Sequence, residues 1–473
     1  MTDGDFGLLS PVSASPAVTA LTGDRAVIAA ILHVEASWAA VLEGAGLVPA
    51  GSAAVVAEAA DAGSYDVLSV AERAQGGANP VIPLLGDLRA RVRELDTSGI
   101  GAGKAVHTSL TSQDVLDSAL MLLASRTVSS LLVDVKGTTT ALAALAEQHA
   151  DTLCVGRSLT QHALPYTFGL KAAQWFQGVA AAAARLESLD LPVQFGGAGG
   201  TLASATKLAA GSDSTPFTLA DSLAAELGLA PAPAPWHSNR LAVTALGDGL
   251  AALIDSFGKI AADLLFLSRP EVAELGEPLA AGRGVSSAMP QKQNPVLSVL
   301  VRSAALQAPG LAAQLHLAAA TFNDERPDGA WHSEWPALRQ LLALALGAAG
   351  HLRELTEGLR VFPDAMLTNL GISGPLLLSE GVGAAVAPLL GEDGKQKLQA
   401  VVDETLKAPA AEQSRIYTKL LREAVPADKV SDAELEALLD PASYLGEASE
   451  ISRRILAAYP AFTGPSTKGA TRG

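Results

Sequence analysis

The amino-acid sequence predicts an all-α protein, and three observations support this fold class. Alanine and leucine dominate, whereas β-branched and aromatic clusters are scarce, and aromatic residues make up only 4% of the chain. Glycine and proline divide the sequence into long blocks rich in alanine and leucine. With 473 residues, of which 49% are hydrophobic and 17% charged, the chain can bury a large core. We therefore expect long helices that pack against one another.

The N-terminal part, residues 1–112, is predicted to form a domain of shorter helices. One of them covers residues 24–46, with Asp24 as its expected N-cap. Its apolar residues at helical spacing form one stripe, which comprises Val27, Ile31, Val34 and Trp38.

The central part, residues 113–359, is predicted to form a bundle of long helices. The predicted segments are 115–152, 167–189, 240–268, 297–321 and 333–359. At 1.5 Å per residue the first would be roughly 50 Å long, which is too long for a compact monomeric domain. Because these helices are apolar around much of their circumference, they need partners on several sides, and oligomerisation is the simplest way to provide them.

The C-terminal part, residues 360–473, returns to short predicted helices such as 411–424 and 432–439. It ends in a polar stretch, 463–473, that we expect to be frayed. The chain is thus predicted to contain three helical domains, with boundaries after residues 112 and 359.

Charge and cysteine content exclude several classes of function. The formal net charge of −16 disfavours nucleic acid or an anionic membrane as a partner, so an anionic ligand would need a local basic pocket. Cys154 is the single cysteine, which rules out an intramolecular disulfide and a multi-thiolate metal site.

Residues 1–15 lack the apolar region of a signal peptide, and apolar stretches such as 341–350 are expected to be too short to span a bilayer. We expect a cytoplasmic protein.

The segment 284–295, Gly-Val-Ser-Ser-Ala-Met-Pro-Gln-Lys-Gln-Asn-Pro, is the strongest candidate for chemistry. Two serine hydroxyls, at Ser286 and Ser287, accompany the ammonium of Lys292 and the carboxamide of Asn294. Lys292 and Asn294 can bind a carboxylate while a serine faces the reacting carbon. A polar loop between helices is the alternative interpretation.

The segment 107–114 precedes the longest predicted helix. Ser112 or Asp114 could cap this helix, and capping alone would explain them. Thr111 and Ser112, with the free N–H groups of a helix N-terminus, could equally form an anion site, with His107 as a proton donor. The residues alone leave both interpretations open.

Two further segments carry polar groups. Arg157, Gln161 and His162 crowd an expected loop between two predicted helices, although a lone histidine is more often structural than catalytic. The segment 323–335 adds the guanidinium of Arg326, for which a surface ion pair with a neighbouring glutamate is the alternative.

The sequence contains no clear signal for a nucleotide-binding or a metal-binding site. The glycine run 196–200 lacks the lysine of a phosphate-binding loop and follows no βαβ pattern, so a loop in close contact with a ligand is the more plausible interpretation. No His/Glu spacing indicates a metal site, and Asp and Glu residues are expected mostly on solvated helix faces. We expect neither a cofactor nor a metal.

Taken together, three segments resemble the signatures of one enzyme superfamily. The stretch 286–295 resembles the SSxMPxKxNP signature of class II fumarases, aspartases, argininosuccinate lyases and adenylosuccinate lyases. His107 with 111–114 resembles the first signature region, and 156–158 with Gln161 resembles the second. The three occur in the expected order and cover the core of the chain, so the combination is highly specific.

This resemblance implies three helical domains and a homotetramer whose central helices bundle together. Each active site would then be built from the signature regions of three subunits. The resemblance also implies Ser286 as the base that exchanges a proton α to a carboxylate, with His107 as a candidate second acid or base. The carboxylates of a small di- or tricarboxylate would be held by Thr111, Ser112, Arg157, Gln161, His162, Ser287, Lys292, Asn294 and Arg326.

Within the superfamily the chain looks most like the bacterial 3-carboxy-cis,cis-muconate cycloisomerases. Most lyases of the superfamily pair a histidine of the second region with a glutamate that follows the third. Those positions are Leu159 and Val299 here, and the cycloisomerases also lack the pair. The residues of 111–114, 161–163 and 235–237 also resemble the cycloisomerase versions.

The implied reaction adds a substrate carboxylate across a double bond and transfers a proton to the carbon α to another carboxylate. Its aci-carboxylate intermediate requires preorganised donors. The chain departs from the usual signature at Val285, in place of glycine, and at Gln291 and Gln293, in place of histidine and arginine. These departures bear on the substrate more than on the reaction type. The alternatives are a β-elimination lyase that releases fumarate from a substituted succinate and a non-catalytic helical scaffold, which would be expected to lack polar loop residues.

Overall fold

The computed structural model describes residues 7–464, which form two compact units. The first unit comprises the described part of Met1–Asp134 together with Ala182–Gly258 and Leu300–His351. The second comprises Val135–Ala181, Lys259–Val299 and the described part of Leu352–Gly473. The division into three successive domains stays a prediction, and the expected frayed end lies outside the described residues from 465 onward.

The regular secondary structure of the described residues is mainly helical, with only four short strands, which confirms the predicted fold class. Short helices come first: α1 (Pro16–Thr22), α2 (Asp24–Gly44), α3 (Ser52–Ala59), α4 (Val67–Ala74) and α5 (Val81–Leu95). The central elements are α6 (Ser112–Gln148), β1 (Leu153–Ser158), β2 (Gln161–Thr167), α7 (Phe168–Glu187), α8 (Ala203–Ala209), α9 (Pro216–Leu227), α10 (Leu241–Leu267), β3 (Leu275–Gly276), α11 (Val296–Ala320), α12 (Gly329–Glu357) and β4 (Arg360–Val361). The last are α13 (Pro363–Ser373), α14 (Ser379–Val386), α15 (Gly394–Leu406), α16 (Ala410–Ala424), α17 (Asp432–Leu438), α18 (Ala448–Ala458) and α19 (Pro460–Thr463).

Each of the five long helices, α6, α7, α10, α11 and α12, begins and ends within four residues of its predicted segment. Among the shorter helices, α2 buries Ile31, Val34 and Trp38 of its predicted apolar stripe. The capping prediction for Asp24 is wrong, because Gly23 occupies the N-cap position. Asp24 is instead the first helical residue and forms an ion pair with Arg339 at 2.5 Å in the first unit.

The second signature region is a β-hairpin in the second unit, so the prediction of a loop is wrong there. β1 and β2 pair antiparallel, with Arg157 directly opposite His162. Leu159 and Thr160 form the two-residue turn, and both have a positive φ, 49° and 68°, as a tight hairpin of this kind requires. Gly156, which resembles a loop signal in the sequence, lies within a paired strand.

Four helical stretches among residues 7–464 are long and apolar enough to cross a membrane: Pro16–Gly44, Ser112–Gln148, Val296–Ala320 and Pro363–Leu390. The expectation that no apolar stretch reaches this length is therefore wrong. α6 nevertheless carries buried Asp114 and Asp117, which pair with His237 and Arg240 of the same unit. Long apolar helices are also what a helical bundle needs for packing.

Candidate active site

In the first unit, a guanidinium lies against two hydroxyls at the N-terminus of α6. Arg326, between α11 and α12, donates from Nη1 to Thr111 Oγ1 at 2.8 Å and from Nη2 to Ser112 Oγ at 3.4 Å. All three residues are among those predicted to hold a substrate carboxylate. A guanidinium, hydroxyls and the free N–H groups of a helix N-terminus are the donors that a carboxylate requires. The structure therefore assembles a candidate carboxylate site in this unit.

Gln113 orients Arg326 within this candidate carboxylate site. Its buried carboxamide donates from Nε2 to the carbonyl oxygen of His237 at 2.9 Å and to Asp117 Oδ2 at 3.3 Å. Because both acceptors fix the nitrogen end, Oε1 faces Arg326 and accepts from its Nε at 3.4 Å. The sequence marks Gln113 only as part of a signature, whereas the structure shows why a carboxamide is needed there.

A buried ion cluster links α6 and α12 in the same unit. Arg240 donates to both oxygens of Asp117, at 2.8 and 2.9 Å, and to Glu334 at 2.7 Å. Burial disfavours the charged guanidinium, but the two carboxylates outweigh burial and raise the pKa of Arg240 above its ordinary value. Burial also raises the pKa of Glu334, against the opposing effect of Arg240. Sequence analysis missed this cluster.

The carboxylate of Asp114 contacts both the start of α6 and the glycine run 196–200. Its carboxylate accepts from Thr111 N, Gly196 N and Gly197 N, each at 2.9 Å, and from His237 Nε2 at 2.7 Å. The first of these bonds is the capping role that the sequence left open for Asp114. A Cβ on Gly196 would lie 2.7 Å from His237 Cε1, so this glycine approaches the histidine ring closely, whereas the predicted contact of the glycine run with a ligand stays a prediction.

His107 is held by a carboxylate that the sequence did not reveal. Glu35 Oε1 lies 2.7 Å from His107 Nδ1, and Glu35 Oε2 accepts from the backbone N–H of His107 at 2.9 Å. Glu35 is fully buried on α2, whereas the His107 side chain keeps 14% of its surface exposed. His107 also has a positive φ of 60°, a strained conformation for a residue with a side chain.

The signature loop of the second unit, residues 284–295, is closed at its base by Asn294. The backbone N–H and the Nδ2 of Asn294 both donate to the carbonyl oxygen of Gly284, at 2.9 and 3.1 Å. Gly284 has a φ of +66°, and a Cβ there would lie 2.4 Å from the Asn294 carbonyl oxygen, so only glycine fits. Asn294 thus shapes the loop, while its predicted contact with substrate stays a prediction.

Within this loop, two backbone N–H groups point at the hydroxyl of Ser286. Ala288 N and Met289 N donate to Ser286 Oγ at 3.3 and 3.1 Å. Such donors stabilise negative charge on the oxygen, as a serine that exchanges protons with carbon requires. Ser287 and Lys292 are exposed on the same loop, where a ligand could reach them.

Arg157 forms an ion pair inside the second unit. Its Nη2 and Nη1 lie 2.5 and 3.3 Å from the two oxygens of Glu274, and its guanidinium stacks on Phe266 at 5.3 Å. Glu274 is buried and also accepts from Asn369 Nδ2 at 2.8 Å. The pairing compensates the charge of Arg157, so in this structure the side chain is engaged by protein groups. Its predicted contact with substrate stays a prediction.

Gln161 and His162, the other predicted residues of the hairpin, lie at the start of β2. Gln161 is exposed, and its Nε2 donates to Thr160 Oγ1 at 3.3 Å. His162 Nδ1 lies 3.0 Å from Ser373 Oγ. Burial, followed by the nearby charge of Arg157, lowers the pKa of His162 below its ordinary value. A neutral imidazole at this position can accept a hydrogen bond as well as donate one.

The acid–base pair of most superfamily lyases has no counterpart at the matching positions. Leu159 is 94% exposed at the tip of the hairpin, and Val299 is 50% exposed on α11. Neither side chain can carry a proton. The second unit therefore offers Ser286, but no histidine–glutamate pair at these two positions.

Buried carboxylates are the functional residues that sequence analysis underestimated. Acidic residues were expected mostly on solvated faces, yet within residues 7–464 six are at least nine-tenths buried: Glu35, Asp114, Asp117, Glu274, Glu277 and Glu334. Each accepts hydrogen bonds from a histidine, an arginine or backbone N–H groups. A signal existed for Glu35, which lies next to Val34 in the apolar stripe of α2.

Among residues 7–464, no group of three or more His, Cys, Asp or Glu side chains is placed to hold a metal ion. Taken unit by unit, the candidate residues supply hydroxyls, carboxamides, histidines and arginines, and the second unit adds one lysine. These groups bind carboxylates and move protons.

The family follows from a comparison with known proteins. A family model described as "Lyase" matches residues 20–310. The chain therefore belongs to this lyase family, the fumarase/aspartase superfamily, as its three signatures predict, and it is an enzyme of that superfamily.

Individual relatives cover almost the whole chain. It is 42% identical to the nitrosuccinate lyase of Streptomyces davaonensis over 94% of this chain and 93% of that protein. It is 36% identical to the 3-carboxy-cis,cis-muconate cycloisomerase of Bradyrhizobium diazoefficiens over 95% and 97%. The crystal structure of the 3-carboxy-cis,cis-muconate lactonizing enzyme from Pseudomonas putida superposes with a TM-score of 0.86 at 31% identity, over 97% of this chain and 100% of that one.

Proposed function

We propose that this enzyme converts 3-carboxy-cis,cis-muconate to 4-carboxymuconolactone. One carboxylate oxygen of the substrate forms a C–O bond at one end of a double bond, which leaves an aci-carboxylate at the other end. A proton then adds to the carbon α to that carboxylate and completes the lactone. Nothing leaves the substrate, and the single proton taken up comes ultimately from water.

The observation that carries this proposal is the pair Leu159 and Val299 at the positions of the lyase acid–base pair. A leaving amine, as in an argininosuccinate or adenylosuccinate lyase, requires a proton as it departs. A carboxylate adds or leaves as a stable anion and requires none. A site without an acid at these positions therefore suits a reaction in which the group that adds or leaves is a stable anion.

The remaining groups have definite roles in this reaction. Ser286 exchanges the α-proton, with the N–H groups of Ala288 and Met289 to stabilise charge on its oxygen. Arg326, with Thr111, holds a substrate carboxylate. Lys292, which is exposed on the signature loop, compensates the charge that grows on the aci-carboxylate. The Lys292→Ala variant is accordingly expected to have a higher KM and a lower kcat than the wild type.

A nitrosuccinate lyase is the second candidate function. The 42% identity to such an enzyme favours it, and nitrite also departs as a stable anion without a proton. The same Ser286 would then remove an α-proton and release fumarate. Amine-releasing lyases fit the site less well than either candidate.

A product assay with purified protein separates the candidates. Carboxymuconate should lose its diene absorbance and give a lactone that NMR identifies. Nitrosuccinate should give neither fumarate nor nitrite above the uncatalysed rate. Nitrite and fumarate formation without lactone would replace the first candidate with the second.

We further propose that the enzyme works as a cytoplasmic homotetramer with shared active sites and without a cofactor. The support for assembly lies in exposed apolar residues of the first unit, since Leu306 and Leu317 on α11 are 70% and 63% exposed and Leu241 on α10 is 69% exposed. α11 has a single charged residue, Arg302, along its 25 residues. Further copies of the same chain would cover such a surface.

A further inference from the structure

Glu35 is buried beside an acid–base candidate and has no role in the reaction as described so far. Both of its oxygens bind one residue: Oε1 contacts His107 Nδ1 at 2.7 Å, and Oε2 accepts from the His107 backbone N–H at 2.9 Å. A fully buried carboxylate is costly unless it is paired. Its retention in the middle of an apolar helix face points to a role at His107.

The carboxylate determines which nitrogen of the ring is available. An ionised Glu35 only accepts hydrogen bonds, so Nδ1 of His107 must carry the proton that lies between them. Nε2 is then the atom that takes up or gives a proton, or binds a ligand. The 14% exposure of the His107 side chain leaves the ring accessible in part. The two hydrogen bonds also fix the orientation of the ring, because Glu35 contacts both the backbone N–H and the Nδ1 of His107.

α2 also contacts the residue that follows His107, one helical turn after Glu35. Trp38, three residues after Glu35, donates from Nε1 to the carbonyl oxygen of Thr108 at 2.7 Å. Glu35 and Trp38 thus hold two consecutive residues from one buried helix face. A rigid helix face is a suitable support for a residue that must keep its orientation in the strained positive-φ conformation of His107.

We propose that Glu35 is a positioning residue, which fixes His107 with Nε2 presented as its working atom and forms with it an acid–base pair in the first unit. This pair uses different elements from the histidine–glutamate pair whose positions are Leu159 and Val299. The inference rests on the proposed function, in which His107 is the second acid or base beside Ser286.

A double-mutant cycle tests this inference. We compare Glu35→Gln, His107→Asn and the double variant by kcat on carboxymuconate. Glu35→Gln should lower kcat at least about tenfold, as expected when a histidine loses the carboxylate that fixes its tautomer. The double variant should then be no slower than His107→Asn alone, because Glu35 acts only through His107.

Glu43→Gln is the matched control, because Glu43 lies on the same helix and also accepts two backbone N–H bonds, from Gly51 and Ala53, at 3.0 and 2.6 Å. It should keep the wild-type pH–kcat profile. In Glu35→Gln the pH–kcat profile should differ from that of the wild type, because the His107 ring no longer contacts a carboxylate. Equal pH profiles in both variants, or losses that multiply in the double variant, would overturn the inference. Wild-type protein that makes no lactone would instead refute the proposed function, and the cycle would then be run on nitrosuccinate.

Discussion

Arg326 Nη1 donates to Thr111 Oγ1 at 2.8 Å, although 215 positions separate the two residues in the chain. The contact joins the segment between α11 and α12 to the N-terminus of α6 within the first unit. Gln113 holds the guanidinium from another side, through Oε1. Hydrogen bonds within the protein therefore arrange the donors of the candidate carboxylate site, which reduces the ordering that binding requires.

Removal of the Arg326 guanidinium should weaken substrate binding. Arg326→Ala is expected to raise KM roughly tenfold or more with a smaller change in kcat, since a charged hydrogen bond contributes about 1.5–3 kcal/mol. Steady-state kinetics on carboxymuconate measure this. Arg25→Ala, which removes an exposed guanidinium of the same unit, should leave KM unchanged. An unaltered KM in Arg326→Ala would mean that the substrate carboxylate binds elsewhere.

The ion cluster of Arg240 should matter for stability. Arg240→Met leaves Asp117 and Glu334 buried without a cation and is expected to lower the free energy of unfolding by roughly 3–5 kcal/mol. Lys259→Met is the control, because it removes an exposed ion pair with Asp263 worth at most about 1 kcal/mol. Urea unfolding monitored by circular dichroism gives both values.

The same variant should show a defined pH dependence. Burial raises the pKa of Glu334, so the folded state holds this proton more tightly than the unfolded chain does. The stability that protonated Glu334 contributes is fully present below the ordinary value of 4.5 and is lost as pH rises through the raised pKa. Without Arg240 the raised pKa moves higher still, so the deficit of Arg240→Met should be smaller at about pH 5 than at about pH 8. A deficit that is constant with pH would contradict the role of Glu334.

The two glutamines of the signature loop should influence substrate choice. Gln293 Nε2 donates to the carbonyl oxygen of Arg283 at 2.8 Å, and Gln291 is exposed nearby. Gln291→His with Gln293→Arg adds charge to the loop without touching Ser286. We expect a changed ratio of kcat/KM between carboxymuconate and succinyl substrates, with activity retained. Equal ratios before and after the change would exclude a role of these positions in specificity.

Shared active sites predict complementation between inactive variants. Size-exclusion chromatography with light scattering should give a mass four times the 48.1 kDa of one chain. Coexpressed Ser286→Ala and His107→Asn chains should regain activity, because some sites in a mixed tetramer receive both intact residues. A mixture that never exceeds its parents, despite a tetrameric mass, would show that each site lies within one subunit.

The helices were predictable from the sequence because their signals are local. Alanine- and leucine-rich blocks bounded by glycine and proline located α10 to within one residue at each end. The hairpin was missed because Gly156 and Pro165 resemble loop signals, whereas their strands are specified by pairing across the turn at Leu159 and Thr160.

The signature residues were predictable, but their supports were not. Thr111, Ser112 and Arg326 were named from separate segments, and the structure brings them together. Glu35 pairs with a residue 72 positions away, and no local pattern encodes such a distance. The sequence signal for Glu35 is that an acidic residue stands within the apolar stripe of α2, where a charged side chain requires a buried partner.

Proton delivery to the α-carbon by Ser286 is the central claim, and product formation in D₂O tests it most directly. Wild-type protein with carboxymuconate should give a lactone with one deuterium on the carbon α to a carboxylate, as read by NMR. Ser286→Ala should lower kcat by roughly 10²-fold or more with a modest change in KM, the scale of general acid–base catalysis. Ser287→Ala, on the same loop, should change KM more than kcat. Near-normal kcat in Ser286→Ala, or a lactone without deuterium at that carbon, would contradict the assignment.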